Sequence, residues 1–483
     1  TPLYLQITKQ VKKLIENNTL RAGARIPSTR YLAEKLGIHR TTVYRAYEEL
    51  WALGYIESRP GSITRIRKRA KIATIEEKRT AGILDWDRII TSSSQDIYQL
   101  YQQHTPERSV KKSADIINLS ALDMDKRLIP ADDFRRCLNQ VLRTKDATIY
   151  GYGERAGYKP LRKYIARRLQ IHGIAVSADE VIITNGSQNG IDMILRLLTF
   201  PGAKVIVESP TYALILPLLR YYQTDITGIP MNHDGIDLEK VERQFEKSKP
   251  VLLYTMPNFQ NPTGITTDQT HRETLLSLCE RFKVPLIEDG FEEEMKYFGK
   301  VALPIKSMDK HHLVLYLGTF SKILMPGVRI GWIAAEKACI ERLLGIKRFC
   351  DLSSNSITQA AMAEFCQEGY YDLHVKRMHR IFRKRMQIAL KAMARFMPPD
   401  AVTWTRPSGG YLIWCHLPQH QGRITESEHI FQSHGVSVSP GEFYFPDPPA
   451  AQYFRISIST LDEAEIEEGI RRLGLAIEDL VSK

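Results

Sequence analysis

At 483 residues, with 43% hydrophobic and 25% charged residues, the chain has the composition of an ordinary globular protein of more than one domain. No apolar run approaches the ~18 residues of a membrane-spanning helix, the start lacks a signal-peptide pattern, and six scattered cysteines without a CxxC pair fit a reducing cytoplasm better than a disulfide framework. The formal charge of +12 is concentrated at the start, where Thr1 to Arg69 hold 14 Lys and Arg against 5 Asp and Glu, 14 − 5 = +9, as in a polyanion-binding module joined to a near-neutral body.

In chain order, Leu5, Val11, Leu14 and Ile15 fall at helical spacing. The stretch "RAGARIPST" then breaks the pattern, Ser28 or Thr29 can cap a second helix, "RYLAEKLG", and Gly37 ends it. In a third helix Val43, Ala46, Tyr47 and Leu50 form the buried stripe, so Arg40, Thr41, Tyr44 and Arg45 occupy the opposite face. "YIESRPGSITRI" reads as two short strands around Pro60 and Gly61, a wing whose Arg59 can reach a phosphate or the minor groove. "GARIPSTRYLAEKLGIHRTTVYRAYEELWALGYI" resembles the winged helix-turn-helix of GntR-type bacterial regulators. The resemblance implies a double-stranded DNA operator as partner, with Arg30, Arg40, Thr42 and Arg45 as contacts and Arg59 and Gly61 in the wing.

From about Ile66 to Ile116 the chain is polar and broken, and it reads as a linker with a short helix around "WDRIITSSSQDIYQLYQQ". Apolar strands and amphipathic helices then alternate, the pattern of an α/β sheet. Several motifs follow a strand directly, where open α/β sheets hold ligands. "DEVIITNGSQNGIDMILRLL" puts Gly186, Ser187 and Gln188 at a helix N-terminus, which suits an anion and equally suits a plain strand-to-helix turn. Tyr212, beyond "KVIVESP", can stack on a flat ring or fill core. Asn261 projects from the turn ending "VLLYTMPNFQNPTG". Asp289 ends "VPLIED" and Lys322 ends "LVLYLGTFSK", each a charge that would be costly if merely buried, and Arg329 follows in "MPGVRIGW".

These residue types describe one ligand when taken jointly. A lysine can form a Schiff base with an aldehyde, an aspartate can keep a pyridine nitrogen protonated, and a phosphate asks for a helix N-terminus, hydroxyls and an arginine. Pyridoxal 5'-phosphate combines all three demands. The stretches "YGYGERAGYKPLR", "NGSQNGID", "ESPTYALI", "PNFQNPTG", "LIEDGF", "GTFSKILMPGVRIGW" and "FRISIS" resemble the fold type I aminotransferases in order and spacing. A GntR-like head on such a body resembles the MocR subfamily of regulators.

That resemblance implies an α/β fold class: a winged helix-turn-helix over 1–67, a linker over 68–115, and an aminotransferase-like body over 116–483 with a large α/β domain and a smaller C-terminal α+β subdomain. It makes Lys322 the Schiff-base lysine and Asp289 the partner of the ring nitrogen. Asn261 would donate to the ring hydroxyl, Tyr212 would stack on the ring, and Gly186, Ser187, Gln188, Thr319, Ser321 and Arg329 would surround the phosphate. Tyr152 would reach the phosphate of the other subunit in a homodimer, and Arg455 would clamp the α-carboxylate of an amino-compound effector, a bidentate task for which lysine is a poor substitute. One departure stands out: two residues after Asp289 the family pattern has a tyrosine, and this chain has Phe291. A donor to the ring hydroxyl is lost there, so capture of an amine is expected to outlast full transamination. The resulting expectation is a cytoplasmic regulator that senses an amino acid or related amine, with an active aminotransferase carrying a DNA-binding domain as the alternative. No metal is expected, since His416 and His420 near Cys415 lack a fourth ligand. The basic helix "VKRMHRIFRKRMQIALKAMARFM" is expected to pack on the smaller subdomain.

Overall fold

The computed structural model describes residues 2–58, 63–68, 84–104, 115–144, 147–291, 294–419 and 423–482. The chain folds as two compact units, Thr1–Ile89 and Ile90–Lys483.

In the first unit, helices α1 (Leu3–Glu16), α2 (Thr29–Leu36) and α3 (Arg40–Ala52) precede an antiparallel pair, β1 (Ile56–Glu57) and β2 (Arg65–Ile66). Local chemistry fixes the ends of α2. Ser28 Oγ accepts from the Tyr31 N–H at 3.2 Å, and Gly37 takes a left-handed φ of +63° that side chains disfavour. Val43, Ala46 and Leu50 of α3 are fully buried, with Tyr47 beside them, as the periodicity predicts. The stripe expected on α1 needs correction. Leu5 and Leu14 are exposed, and the packed face instead runs through Tyr4, Ile7, Val11 and Ile15, because the two leucines lie about half a turn from each other, on opposite sides of that face. Arg59 and Gly61 of the expected wing lie outside the described residues, as does His420.

In the second unit the strands are β3 (Ile117–Asn118), β4 (Val181–Thr184), β5 (Lys204–Ser209), β6 (Asp225–Asn232), β7 (Gly235–Ile236), β8 (Leu252–Thr255), β9 (Leu286–Asp289) and β10 (Val314–Thr319), followed by β11 (Gly331–Ala334), β12 (Thr403–Trp404), β13 (Leu412–Leu417), β14 (Val436–Ser437), β15 (Ser439–Pro440) and β16 (Gln452–Ser457). Among the described residues a large sheet has the order β4-β11-β10-β9-β8-β5-β6-β7, in which β10, β9, β8, β5 and β6 are parallel while β11 runs against both its neighbours. Its central strands, such as "LLYT" and "VLYLGT", are buried at every position. Strands covered on both faces are apolar throughout rather than alternating, which is why they read as continuous runs in the sequence.

A smaller sheet, β12-β13-β16-β15, forms the C-terminal subdomain, and β14 pairs in parallel with β3. The start of the body is thereby tied to its end. The basic helix spans Tyr370–Phe396 and buries Met378, Phe382 and Met386 in the subdomain core, packed against helix Glu463–Val481. Within the stretch read as linker, helices form at Trp86–Ile89 and Ser92–His104, the latter packed on helix Ile215–Tyr221. No helix among the described residues is long and apolar enough to cross a membrane.

Candidate functional site

Strands β4, β5, β6, β8, β9 and β10 end, and β11 begins, along one edge of the large sheet. The sequence-predicted residues gather there: Gly186, Ser187 and Gln188 after β4, Tyr212 after β5, Asn261 after β8, Asp289 at the end of β9, Thr319, Ser321 and Lys322 at and beyond the end of β10, and Arg329 just before β11. Parallel topology brings them together, since every strand delivers its last residue to the same side.

Gly186 is the N-cap of helix Ser187–Leu198 and has φ +86°. A Cβ at this position would lie 2.4 Å from Nη2 of Arg329, which donates to the Asn185 carbonyl at 3.0 Å. A guanidinium is therefore held across a helix N-terminus whose free N–H groups carry partial positive charge, and an anion is the partner that both features share. Ser321 adds a buried Oγ that has no hydrogen-bond partner. Thr319 uses its hydroxyl inside the turn, donating to the Ile330 carbonyl at 3.2 Å and accepting from the Ser321 N–H at 3.1 Å. Gln188 donates to the Leu214 carbonyl at 3.1 Å and leaves its Oε1 buried without a partner.

The carboxylate of Asp289 is almost completely buried. Oδ2 accepts from the Tyr254 hydroxyl at 2.8 Å, while Oδ1 accepts no hydrogen bond. Burial pushes the carboxyl up to about 6, against the pull of the Tyr254 hydroxyl, the nearby Phe291 N–H and the Lys322 charge. An orphaned buried carboxylate oxygen is a strong request for a donor or a cation, and a protonated ring nitrogen answers it. Lys322 is partly buried, and its Nζ donates to the Leu122 carbonyl at 3.0 Å.

Arg455, on β16, is buried beneath the Tyr444 ring, 5.3 Å from its centroid. Nη1 donates to Asn261 Oδ1 at 3.0 Å and Nη2 to the Ser120 carbonyl at 2.7 Å, leaving Nε without a partner. With its oxygen engaged, the Asn261 amide presents its NH2 as the free donor. The Tyr212 ring packs against the apolar cluster of the large sheet, and its hydroxyl is raised above the usual tyrosine range by burial first, then by the charge of Asp289. Tyr152 is different. It is 84% exposed, and its own chain does not bring it into the site.

In the first unit Arg30, Arg40 and Arg45 are exposed and Thr42 is half-buried. Arg40 Nε reaches Thr29 Oγ1 at 3.5 Å, which ties the start of α3 to the start of α2. The Arg45 guanidinium stacks on the Tyr4 ring at 4.4 Å. Exposed cations along the N-terminal half of α3 match the way a recognition helix meets a polyanion.

Sequence reasoning missed two buried groups. Neither Tyr254 of β8 nor Glu208 of β5 was singled out. The Glu208 carboxylate is buried, accepting from Thr255 Oγ1 at 2.5 Å, the Met256 N–H at 3.1 Å and Gln260 Nε2 at 3.0 Å. Burial pushes its carboxyl up to about 7 despite those donors. A charged residue inside "KVIVES" was the available signal.

Two family models match the chain. The model for aminotransferase class I and II covers residues 114–473, and that for bacterial regulatory proteins of the gntR family covers residues 3–66. The HTH-type transcriptional regulator YdfD of Bacillus subtilis, itself uncharacterized, is 32% identical over 100% of this chain and 98% of its own length. The probable rhizopine catabolism regulatory protein MocR of Rhizobium meliloti is 28% identical over 98% of this chain and 93% of its own. Among solved structures, the α-aminoadipate aminotransferase LysN of Thermus thermophilus, complexed with N-(5'-phosphopyridoxyl)-L-leucine, is 28% identical with a TM-score of 0.76, covering 83% of this chain and 100% of that one. The regulators thus extend over both units, whereas the enzyme's whole length is matched by 83% of the chain. The chain belongs to the aminotransferase class I and II family and, through its GntR head, to the MocR type of helix-turn-helix transcriptional regulators.

Proposed function

We propose that this regulator senses an amino acid or related amine at the sheet edge of its body and answers by changing how its head holds an operator. The cofactor is pyridoxal 5'-phosphate, which when bound supplies an aldehyde that captures amines and a protonated ring that withdraws electrons. The observation that carries the reading is the pair of orphaned atoms, Asp289 Oδ1 and Ser321 Oγ, at the same sheet edge as the Gly186–Arg329 cradle.

Each residue then has a task. Asp289 would hold the proton on the ring nitrogen through Oδ1. Gly186 and Ser187, with Ser321 and Arg329, would take the phosphate, and Thr319 would shape the turn beside it. Asn261 would donate to the ring hydroxyl, Tyr212 would cover the ring, and Gln188 would close the side near Leu214. Lys322 would supply the amine that tethers the aldehyde, trading its bond to the Leu122 carbonyl for that role. Arg455 would take the effector's carboxylate through its unpartnered Nε and a terminal nitrogen. Tyr152, exposed on its own chain, suits a homodimer in which it serves a second copy. We place the working domains at 1–67, 68–115 and 116–483 and the protein in the cytoplasm, beside its DNA.

A ligand can shift the head only through contacts made better in one arrangement than in the other. The rival reading, an aminotransferase carrying a DNA tether, draws on the intact set of charged site residues. One measurement tests the tether that both readings share, and a second separates them. Borohydride reduction of the cofactor-loaded protein is expected to leave a pyridoxyl group on the Lys322 peptide, and an unlabelled peptide would remove both readings. A panel of amines is expected to alter operator retention without keto acid production. Rapid keto acid release with unchanged DNA binding would favour the enzyme.

A further inference from the structure

Asp289 does not stand alone beneath the cofactor site. Tyr254 lies on β8, where it pairs in register with Ile287 of β9, so its side chain emerges on the face from which Asp289 emerges two residues later. The tyrosine is fully buried, and its hydroxyl meets Oδ2 at 2.8 Å. We infer that Tyr254 is a positioning residue for the cofactor's ring nitrogen: its hydroxyl anchors one carboxylate oxygen of Asp289, fixes the carboxylate plane, and leaves Oδ1 as the oxygen presented to the ring. The inference rests on the cofactor reading given above.

Three observations support it. Only one oxygen of the pair is orphaned, and it is the one that Tyr254 does not touch. Phe291, the nearest aromatic beyond Asp289, carries no hydroxyl and packs in the same apolar cluster as Tyr254. Tyr254 also keeps its proton through the working range, since burial and then the Asp289 charge hold its hydroxyl well above the ordinary tyrosine value, and so it remains a donor. The charged or titratable groups that act on this carboxylate are Glu208 from β5 and Tyr212 beyond it, Tyr254 from β8, and Lys322 beyond β10.

A buried tyrosine needs a partner in any case, so the test must separate positioning from stability. In full-length protein, Tyr254→Phe keeps the ring and removes the donor. A hydrogen bond to a charged group is worth roughly a tenfold change in equilibrium, so the protonation midpoint of Asp289 is expected to rise by ~1 pH unit. Infrared difference titration of the cofactor-free protein reads this directly, with Asp289→Asn identifying the band apart from that of Glu208. The dissociation constant for pyridoxal 5'-phosphate is expected to rise about two- to threefold near pH 6.5–7 and close to tenfold at pH ~5, and to approach the parent value above pH ~8, where the carboxylate is charged in both proteins. Adding Tyr254→Phe to Asp289→Asn should change cofactor affinity little further. An unchanged Asp289 midpoint, or a loss of cofactor affinity equal at all pH values, assigns Tyr254 a packing role and overturns the inference. Failure of the parent protein itself to bind the cofactor overturns the functional reading instead, and the infrared comparison still decides whether Tyr254 governs Asp289.

Discussion

Nη1 of Arg455 donates to Oδ1 of Asn261 at 3.0 Å, across 194 residues of sequence, from the smaller C-terminal sheet to the loop after β8 of the large one. The residue assigned to the effector's carboxylate thus also orients the residue assigned to the cofactor's ring hydroxyl. Arg455→Lys would keep one positive charge and lose the planar fork. Spectral titration with an α-amino acid is expected to show about a 10–100-fold weaker response, while amines without a carboxylate lose only the smaller part that the Asn261 contact contributes. Equal losses for both ligand classes would remove Arg455 from carboxylate recognition.

Phe291 bears on turnover. Its ring is buried against the apolar cluster that includes Tyr254 and Met256, and it offers no donor. Phe291→Tyr supplies the hydroxyl that the family pattern has at this position. Keto acid formation is expected to rise at least about tenfold, close to the value of one charge-assisted hydrogen bond, with cofactor retention little changed. Rapid turnover in the parent protein would contradict the assignment of Phe291 as the brake.

Burial raises the Asp289 carboxyl from 3.8 to about 6 and the Glu208 carboxyl from 4.5 to about 7. For a group whose folded value lies above its unfolded value, the favourable contribution is complete below the unfolded value and is lost as pH rises through the folded one. The cofactor-free protein should therefore lose stability from pH ~4 to pH ~8 through these two groups, by up to about 3 kcal/mol for Asp289. Asp289→Asn is expected to raise the melting temperature of cofactor-free protein by ~2–4 °C at pH 8 and by much less at pH 4. The same substitution should weaken cofactor binding, so stability and function move in opposite directions. A uniform rise at both pH values would argue against a charged, buried Asp289.

Features set by neighbours in sequence were legible. The cap at Ser28 or Thr29, the Gly37 stop and the Val43–Leu50 stripe depend on residues within one or two turns; the stop and the stripe appear as read, and the cap falls on Ser28. The gathering at the sheet edge was also legible, because each motif sits at a strand end and parallel topology collects strand ends. Leu5 and Leu14 show the limit. A helix with apolar residues on more than one face does not declare which face meets the core. Tyr254 and Glu208 show a second limit, since a polar side chain within an apolar strand reveals its partner only when the adjacent strand is known, and β8 lies beside β5 and β9 through long crossovers. Ser120 and Leu122, whose carbonyls accept from Arg455 and Lys322, offered no signal, because any residue has a backbone carbonyl.

The exposed face of α3 predicts how the head behaves with DNA. Arg40→Ala removes one exposed cation at the helix start, where its link to Thr29 Oγ1 is long at 3.5 Å. Operator affinity is expected to fall about tenfold, and the slope of log affinity against log salt to become shallower by ~1. Arg45→Ala should also lower the stability of the head, because the guanidinium covers the Tyr4 ring at 4.4 Å. An unchanged salt slope in both variants would place the operator elsewhere.

Gly186 gives the most direct test of the anion cradle. Gly186→Ala would place a methyl group 2.4 Å from Arg329 Nη2, and φ +86° disfavours any side chain. Arg329 can yield only by leaving the Asn185 carbonyl and swinging away from the helix N-terminus. The backbone strain should cost about 1 kcal/mol or more of stability. Displacing the cation should weaken pyridoxal 5'-phosphate at least tenfold while leaving pyridoxal, which lacks the phosphate, nearly unaffected. That contrast between the two ligands isolates the phosphate, because general damage to the site would weaken both alike.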